Sequence, residues 1–486
     1  MEPADVLSDF SDRNATFYYE KGARSSRRRN IKVFLLSIII LVAGVGCAST
    51  PKVTPIIEEV PAAHEPPDIA SVKGFLPAPE SKAIIAGLER AAGHTDLLER
   101  QTNVMQAVSE TPLVKGNKVT LLIDGPDTYD AMFEAIKNAK DHINLETFLF
   151  SDDATGRAFA GLLLLKRSEG VQVNVIYDSW GSGSTSSSFF EHLRDGGIDV
   201  LQFNPINPFK ARGEWSPLKR DHRKLLVVDG KVAIMGGVNI SGVYSSGSSG
   251  ISQEKEGLPW RDTDIQIEGP AVAECQRLFL DTWKAQKSPK LPEKAYFPAL
   301  NEMGNDLVQV VGSESGERRR ITFIMYVSAM VFAEKTIHLT TAYFVPDEQT
   351  MKSLIDAALR GVDVKIVLPK WSDESIAVAA GRYYYSDLLK RGVKIYERRS
   401  AIVHAKTAVI DGVWSTVGST NMDYWSFLHD DELNAVILSR DFAREMEELF
   451  ASDLSKSNEI RWEDWKERPL LPRVWEWFMH LFAHFL

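Results

Sequence analysis

The chain contains the same sequence unit twice, with corresponding positions about 190 residues apart. The first copy includes residues 143–150 (INLETFLF) and 170–178 (GVQVNVIYD), and the second includes residues 337–344 (IHLTTAYF) and 361–369 (GVDVKIVLP). In both copies short apolar runs alternate with segments of helical period, which is typical of an α/β protein. A near-constant offset indicates internal duplication, so we expect two similar α/β sandwich domains.

The remaining composition divides the chain around this duplicated pair. Residues 51–80 contain seven prolines and little apolar periodicity, which is typical of a semi-extended tether. The predicted organisation is a basic N-terminal segment (1–32), an apolar run (33–50), the Pro-rich linker (51–80), domain 1 (81–300), domain 2 (301–470) and an apolar C-terminal helix (471–486).

Each unit carries one His-x-Lys-x4-Asp motif. The first motif consists of His222, Lys224 and Asp229, and the second consists of His404, Lys406 and Asp411. One such match has little weight in a long chain, but two matches at equivalent places in a duplication are not accidental. Asn239 and Asn421 follow the two motifs at the same spacing, each after a short Gly-containing turn.

The spacing of the motif has a structural meaning. In a strand, His and Lys at positions i and i+2 point to the same face and can therefore reach one cavity. The Asp-Gly pairs that begin at Asp229 and Asp411 lie between apolar runs, as hairpin turns do. These two aspartates are candidate catalytic residues, and a role in the turn alone is the alternative.

The residue types suit phosphodiester chemistry. With a reference pKa of about 6.5, one imidazole can attack phosphorus while the other protonates the leaving alkoxide. The lysines and Asn239 and Asn421 can stabilise charge on the phosphate oxygens, so we expect no metal and no cofactor. A carboxylate should orient each imidazole, and the candidates are Asp262 and Glu432, each a short distance downstream of its motif.

This constellation resembles the phospholipase D superfamily and, within it, the bacterial cardiolipin synthases, over roughly residues 113–470. The resemblance implies two tandem domains related by a pseudo-two-fold axis, with both histidines in one active site. It also implies that His222 carries a phosphohistidine intermediate and that His404 is the acid and base. The implied reaction joins two phosphatidylglycerol molecules into cardiolipin and releases glycerol, and phospholipid hydrolysis is the alternative.

The charge of the chain limits its anionic partners. With 56 basic and 66 acidic residues the net charge is −10, so a nuclease is disfavoured and phospholipid must be met by a local patch. The segment before the first motif supplies a candidate patch, in which binding of headgroups and ordinary solvation are the alternatives. Its cations are Lys210, Arg212, Lys219, Arg220, Arg223 and Lys224.

Two apolar segments suggest contact with a membrane. Residues 33–48 follow a basic cluster and fit a single-pass anchor that leaves the catalytic domains outside the cell membrane. Cleavage and lipidation at Cys47, or a buried helix, are the alternatives. Residues 474–486 are too short to span, and we expect them either to pack on the folded domains or to lie in the membrane interface.

Overall fold

The computed structural model describes residues 50–59, 67–211, 215–248, 257–315 and 320–486. The basic N-terminal segment, Cys47 and all but the last residue of the predicted anchor lie outside these ranges. Among the residues described, no helix has both the length and the apolar character that crossing a bilayer requires.

The secondary structure alternates strands and helices along most of the chain. The strands are β1 (Ile69–Ser71), β2 (Gly74–Phe75), β3 (Leu113–Ile123), β4 (His142–Thr147), β5 (Gln172–Asp178), β6 (Asp199–Phe203), β7 (Arg220–Asp221), β8 (Lys224–Val228), β9 (Val232–Gly236), β10 (Trp260–Arg261), β11 (Thr263–Glu268), β12 (Asp306–Ser313), β13 (Thr336–Thr341), β14 (Phe344–Val345), β15 (Asp363–Pro369), β16 (Lys394–Arg398), β17 (Ile402–Val403), β18 (Lys406–Ile410), β19 (Trp414–Gly418), β20 (Met422–Asp423), β21 (Asp430–Leu438) and β22 (Ser457–Ile460). The α-helices are Val53–Glu59, Ala78–Ala91, Leu97–Val108, Asp124–Asn138, Ala154–Ser168, Ser187–Asp195, Val272–Ala285, Ile321–Phe332, Glu348–Leu359, Ser375–Arg382, Tyr385–Leu389, Tyr424–Leu428, Arg440–Ser455, Trp462–Lys466 and Leu470–His480.

The strands of the two halves pair in the same order. In the first half β4, β5 and β6 are parallel neighbours, and β8, β9, β11 and β3 continue the sheet in antiparallel fashion from β4. In the second half β13, β15 and β16 are parallel, and β18, β19, β21 and β12 continue from β13. Antiparallel pairing of β3 with β12 joins the two halves. The strands and helices of both halves confirm the predicted α/β fold.

One apolar core lies across the junction of the halves. Leu225 and Ile265 from the first half share a buried cluster with Val308, Val417 and Ile437 from the second. β8 and β18 are buried at every position, because the chain covers both of their faces. The two halves are therefore held in one rigid relationship by burial of apolar surface.

The Pro-rich linker differs from its prediction. The helix Val53–Glu59 packs on the second half: Val53 is buried, and its backbone N–H donates to Gln349 Oε1 at 2.8 Å. β1 then pairs with β3, so the described part of this stretch is folded and the prediction of an extended tether is wrong for it. Val53, Ile56 and Ile57 have helical spacing, and Pro55 in the first turn is compatible with a helix.

The strand register determines where the motifs lie. β8 runs antiparallel to β4, so Lys224 at its start faces Thr147 at the carboxyl end of β4. In the second half Lys406 faces Thr341 in the same way. The His-Lys end of each motif therefore lies at the carboxyl edge of the parallel strands, which is where open α/β sheets bind ligands.

Candidate active site

Each histidine is reached through a short strand that pairs with the other half of the chain. β7 precedes His222 and pairs in parallel with the start of β21, and the His222 backbone N–H donates to the carbonyl of Asp431 at 2.9 Å. β17 precedes His404 and pairs with β10, and the His404 backbone N–H donates to the carbonyl of Arg261 at 2.8 Å. These two equivalent sets of strand pairing and backbone hydrogen bonds hold the start of each motif against the opposite half of the chain.

His222 is oriented by Glu432. Its Nδ1 lies 3.0 Å and 3.2 Å from the two carboxylate oxygens, and Ser419 Oγ donates to the same carboxylate. Burial acts to raise the pKa of Glu432, but contact with His222 and Lys224 holds that pKa below its ordinary value. An ionised carboxylate only accepts, so Nδ1 carries the proton and Nε2 of a neutral His222 keeps its lone pair.

His404 is oriented by Asp262. Its Nδ1 lies 2.7 Å from Oδ2 of Asp262, and the Tyr244 hydroxyl lies 3.3 Å from the same nitrogen. Burial acts to raise the pKa of Asp262, but contact with His404 and Lys406 holds that pKa below its ordinary value. The tautomer is the same as at His222, with Nε2 of the neutral ring available.

The two orienting carboxylates are therefore exchanged between the halves. Sequence proximity favoured Asp262 for His222 and Glu432 for His404, and the structure pairs them in the opposite way. The reason is that Asp262 follows β10, which lies beside β17, while Glu432 lies at the start of β21, beside β7. Both residues that were candidates for orienting a histidine do contact one.

The two motif lysines lie in the same buried site. Lys224 and Lys406 are 3% and 1% exposed, and each Nζ donates to the backbone carbonyl of its own histidine. Burial lowers the pKa of Lys224 to about 7, and the charge of Lys406 contributes to this shift. Burial also lowers the pKa of Lys406. Two neighbouring ammonium groups repel each other, and an anion bound beside both would reduce that repulsion. The two lysines therefore form a strong site for an anion.

Both histidines are neutral at pH 7 in this arrangement. Burial and the charge of Lys224 lower the pKa of His222 to about 4, and Lys406 acts in the same direction. Burial and the charge of Lys406 lower the pKa of His404. A neutral imidazole is the nucleophilic form, whereas the acid form requires a nearby anion that raises the pKa.

Aromatic side chains form the walls beside the histidines. The Phe148 ring lies 5.0 Å from the ring of His222, and the Tyr343 ring lies 6.2 Å from that of His404. Trp260 packs against His404 and Tyr244, with ring centroids 5.1 Å and 4.9 Å apart. Sequence reasoning did not assign these residues to the site, although Phe148 and Tyr343 lie close to each other's positions in the repeated blocks, as the sixth residue of 143–150 and the seventh of 337–344.

The family model described as "Cardiolipin synthase, PLD-like domain" matches residues 132–246 and 326–454, and each match contains one complete motif. The chain therefore belongs to the cardiolipin synthase family of PLD-like proteins. The resemblance to this family inferred from the sequence is confirmed.

Curated relatives in the cardiolipin synthase family cover most of the chain. A cardiolipin synthase of Alkalihalophilus pseudofirmus is 32% identical over 392 residues, which cover 80% of this chain and 76% of the relative. One of Listeria monocytogenes is 35% identical over 362 residues, which cover 74% and 73%. The crystal structure of phosphatidylserine synthase from Haemophilus influenzae superposes with a TM-score of 0.58 at 12% identity, covering 79% of this chain and 98% of that one, so the two share a fold.

Asp229 and Asp411 lie at some distance from His222 and His404. Asp229 has φ +52° and accepts backbone N–H groups from residues 140–142, and Asp411 has φ +52° and accepts those of residues 334–336. Each aspartate follows a five-residue strand that begins at the motif lysine. At ~3.3 Å per residue, the aspartate is therefore roughly 16 Å along the chain from that lysine. These contacts favour the alternative of a role in the turn for both aspartates, and a catalytic role stays a prediction.

The two motif asparagines have different surroundings. Asn239 donates from Nδ2 to the Tyr244 hydroxyl at 3.0 Å and accepts from the backbone N–H of Leu149 at 3.1 Å, so it supports the residue that contacts His404. The backbone N–H of Asn421 donates to Ser426 Oγ at 3.2 Å, and its Oδ1 is buried without a partner. Direct contact with phosphate stays a prediction for both.

The basic segment before the first motif is partly structural. Arg220 is buried 3.7 Å from Asp178, and Arg223 is buried 3.8 Å from Glu146. Lys219 pairs with Asp431 at 3.2 Å, and Arg212 lies outside the described residues. Among the described cations of this segment, the ion pairs made by these three side chains leave Lys210 and Lys224 as the ones best placed for an anionic ligand.

One group of metal-competent side chains lies in the part of the site that the structure describes. Ligand atoms of His222, Asp430 and Glu432 lie within 4.8 Å of one another. Burial and the charge of Glu432 raise the pKa of Asp430 well above its ordinary value, which favours the neutral form of this carboxyl. A neutral carboxyl beside a carboxylate that already holds an imidazole is a poor ligand for a cation.

Proposed function

We propose that the protein is a cardiolipin synthase, a membrane-associated phosphatidyltransferase that makes cardiolipin and glycerol from two molecules of phosphatidylglycerol. The observation that carries the proposal is the pair of imidazoles, His222 and His404, each with an ionised carboxylate on Nδ1 and a buried lysine beside it. The names of the curated relatives support cardiolipin as the product.

In the first step, Nε2 of neutral His222 attacks the phosphorus of phosphatidylglycerol. A P–N bond forms, and the bond from phosphorus to the headgroup glycerol oxygen breaks. His404 gives its Nε2 proton to that oxygen, and glycerol leaves. Lys224 and Lys406 neutralise the non-bridging oxygens as their charge shifts.

In the second step, His404, now neutral, accepts the proton of a headgroup hydroxyl of a second phosphatidylglycerol. That oxygen attacks phosphorus, the P–N bond breaks, and cardiolipin forms while His222 is regenerated. Water would give phosphatidic acid instead, so the site must hold the lipid acceptor and exclude water.

The charge state of His404 depends on the substrate. Burial and Lys406 lower its pKa in the free protein, which disfavours the acid form needed for the first step. A bound phosphodiester adds one negative charge among these groups, and this raises the pKa of a neighbouring imidazole. The acid is therefore generated in the complex, while the low pKa of His222, about 4, keeps the nucleophile unprotonated.

The location that best fits this reaction is the surface of a bacterial cell membrane. The apolar run at residues 33–50 would serve as a single anchor, with the catalytic domains outside. A membrane surface concentrates both phosphatidylglycerol substrates, and it favours the lipid acceptor over water.

The test is lipid analysis by mass spectrometry in a bacterial host that lacks its own cardiolipin synthases. The full chain should produce cardiolipin, and His222→Ala or His404→Ala should abolish it. Leu165→Ala, at an exposed position on the helix Ala154–Ser168, is a control that should retain synthesis. Accumulation of phosphatidic acid in place of cardiolipin would show a hydrolase, and synthesis by either histidine variant would refute the mechanism.

A further inference from the structure

The helix Leu470–His480, here called the C-terminal helix, turns most of its apolar side chains toward the outside. Seven large apolar residues on and just after this helix are between 44% and 84% exposed. They are Leu470, Leu471, Val474, Trp475, Trp477, Phe478 and Leu481. Single exposed apolar residues are normal on protein surfaces, but a contiguous set that includes three aromatic rings indicates a binding surface.

The only acidic residue of the C-terminal helix is turned inward. Glu476 is 6% exposed and makes two hydrogen bonds with Arg468, at 2.6 Å and 2.9 Å. Met479 is also buried, whereas Arg473 is exposed. An ordinary surface helix buries its apolar face and exposes its charges, and this helix has the reverse arrangement around Glu476.

The chemistry of the exposed surface fits one partner. Trp475, Trp477 and Phe478 are residue types that favour the boundary between headgroups and acyl chains. Arg473 is the one side chain of the C-terminal helix that offers an exposed positive charge, and the acidic charge is hidden and neutralised, which suits anionic headgroups. We propose that the C-terminal helix lies in the surface of an anionic phospholipid bilayer.

The C-terminal helix is connected directly to the wall of the active site. Met479 packs in a small apolar cluster with Val345, Ala377 and Ala380. Val345 lies two residues beyond Tyr343, which packs in the same cluster and against His404. If the C-terminal helix lies in a bilayer, the bilayer surface is therefore next to the carboxyl ends of β13 and β15, where the second motif lies.

The first half of the chain presents a second apolar element at its corresponding edge. The loop that follows β6 exposes Phe209 almost completely and Ile206 by more than half. The loop follows the carboxyl end of the parallel strand β6, and the C-terminal helix packs on Ala377 and Ala380, which follow the carboxyl end of the parallel strand β15. This is the edge of the strands where the two His-Lys pairs lie. The bilayer would then bring lipid headgroups to the site from above, which gives the proposed transferase an acceptor at high local density.

The test compares two substrates and rests in part on the proposed function. The full-length double variant Trp475→Asp/Trp477→Asp should synthesise cardiolipin at least tenfold more slowly from long-chain phosphatidylglycerol in vesicles. With short-chain phosphatidylglycerol kept below its micelle concentration, the rate should stay within twofold of wild type. The control Leu165→Asp/Leu359→Asp, at exposed positions on two other helices, should match wild type with both substrates.

A second measurement does not require activity. Vesicles of brominated phosphatidylglycerol should quench part of the tryptophan fluorescence of the full chain, and Trp475→Phe/Trp477→Phe should remove that part while preserving apolar contact. Unchanged quenching, or unchanged activity on vesicles in the Asp variant, would overturn the proposal. The proposal would also be overturned if the wild type were an oligomer, the Asp variant were a monomer, and the Asp variant were equally active on both substrates. If wild type makes no cardiolipin from either substrate, the proposed function fails, and the quenching still reports on the helix.

Discussion

Nδ1 of His222 lies 3.0 Å from the carboxylate of Glu432, although the two residues are 210 positions apart in the chain. The reciprocal pair, His404 and Asp262, is 2.7 Å apart across 142 positions. Neither half of the duplication holds an oriented histidine by itself, because each imidazole depends on a carboxylate from the other half. The candidate active site is thus formed only when the two halves are assembled.

Gly237 should be as sensitive to substitution as a residue that contacts the substrate. A Cβ at this position would lie 2.0 Å from Oδ1 of Asp262, the carboxylate that orients His404. We expect Gly237→Ala to lower kcat by about 10²-fold or more, because a displaced carboxylate loses control of the tautomer. The measurement is the rate of cardiolipin formation per folded molecule.

A matched control for Gly237 is Gly161→Ala on the helix Ala154–Ser168, where an added Cβ has no neighbour within 4 Å. This change should leave the rate unaltered and stabilise the helix by about 0.5–1 kcal/mol. A wild-type rate for Gly237→Ala would show that the position of Asp262 is not critical.

Asp411 should affect stability rather than catalysis. It accepts backbone N–H groups from Glu334, Lys335 and Thr336 and the hydroxyl of Thr95. Asp411→Ala leaves these donors unpaired in a turn with positive φ, so we expect a loss of about 2–4 kcal/mol and a clearly lower Tm. Asp411→Asn keeps the preference for positive φ and should be intermediate. A large loss of kcat with an unchanged Tm would restore the catalytic interpretation.

Lys224 should make anion binding depend on pH above neutrality. Its pKa is lowered to about 7, so its positive charge is present below that pH and is lost as the pH rises through it. Sulfate keeps its own charge in this range, and its affinity for the full chain, measured by calorimetry, should fall between pH 6 and 9. In Lys224→Arg the fall should be smaller, because a guanidinium stays charged. An affinity that does not change with pH would contradict the lowered pKa.

The sequence was sufficient to predict the fold class and the histidines, lysines and orienting carboxylates that the structure brings together, but not the aromatic residues beside them. The duplication indicated two α/β units, and the motifs identified His222, Lys224, His404 and Lys406 because their spacing is strictly repeated. The motif could be interpreted from the sequence because strand periodicity alone places His and Lys on one face.

The exchange of carboxylates could not be predicted in the same way. It depends on two-residue strands that cross between halves, and such short pairings have no sequence pattern of their own. Asp229 and Asp411 were ambiguous because an Asp-Gly pair has the same appearance in a turn and in a motif. The helix at Val53 was missed because proline content outweighed three apolar residues at helical spacing.

The most direct test of the exchanged site uses a phosphatidyl ester of p-nitrophenol, whose leaving group needs no protonation. His404→Ala and Asp262→Asn should still release a burst of nitrophenolate equal to the protein concentration. His222→Ala and Glu432→Gln should release none, or release it about 10²–10⁴-fold more slowly. Glu432→Gln should behave as His222→Ala does, and Asp262→Asn should behave as His404→Ala does. The opposite pairing, with Asp262→Asn behaving as His222→Ala does, would contradict the exchange of carboxylates between the halves.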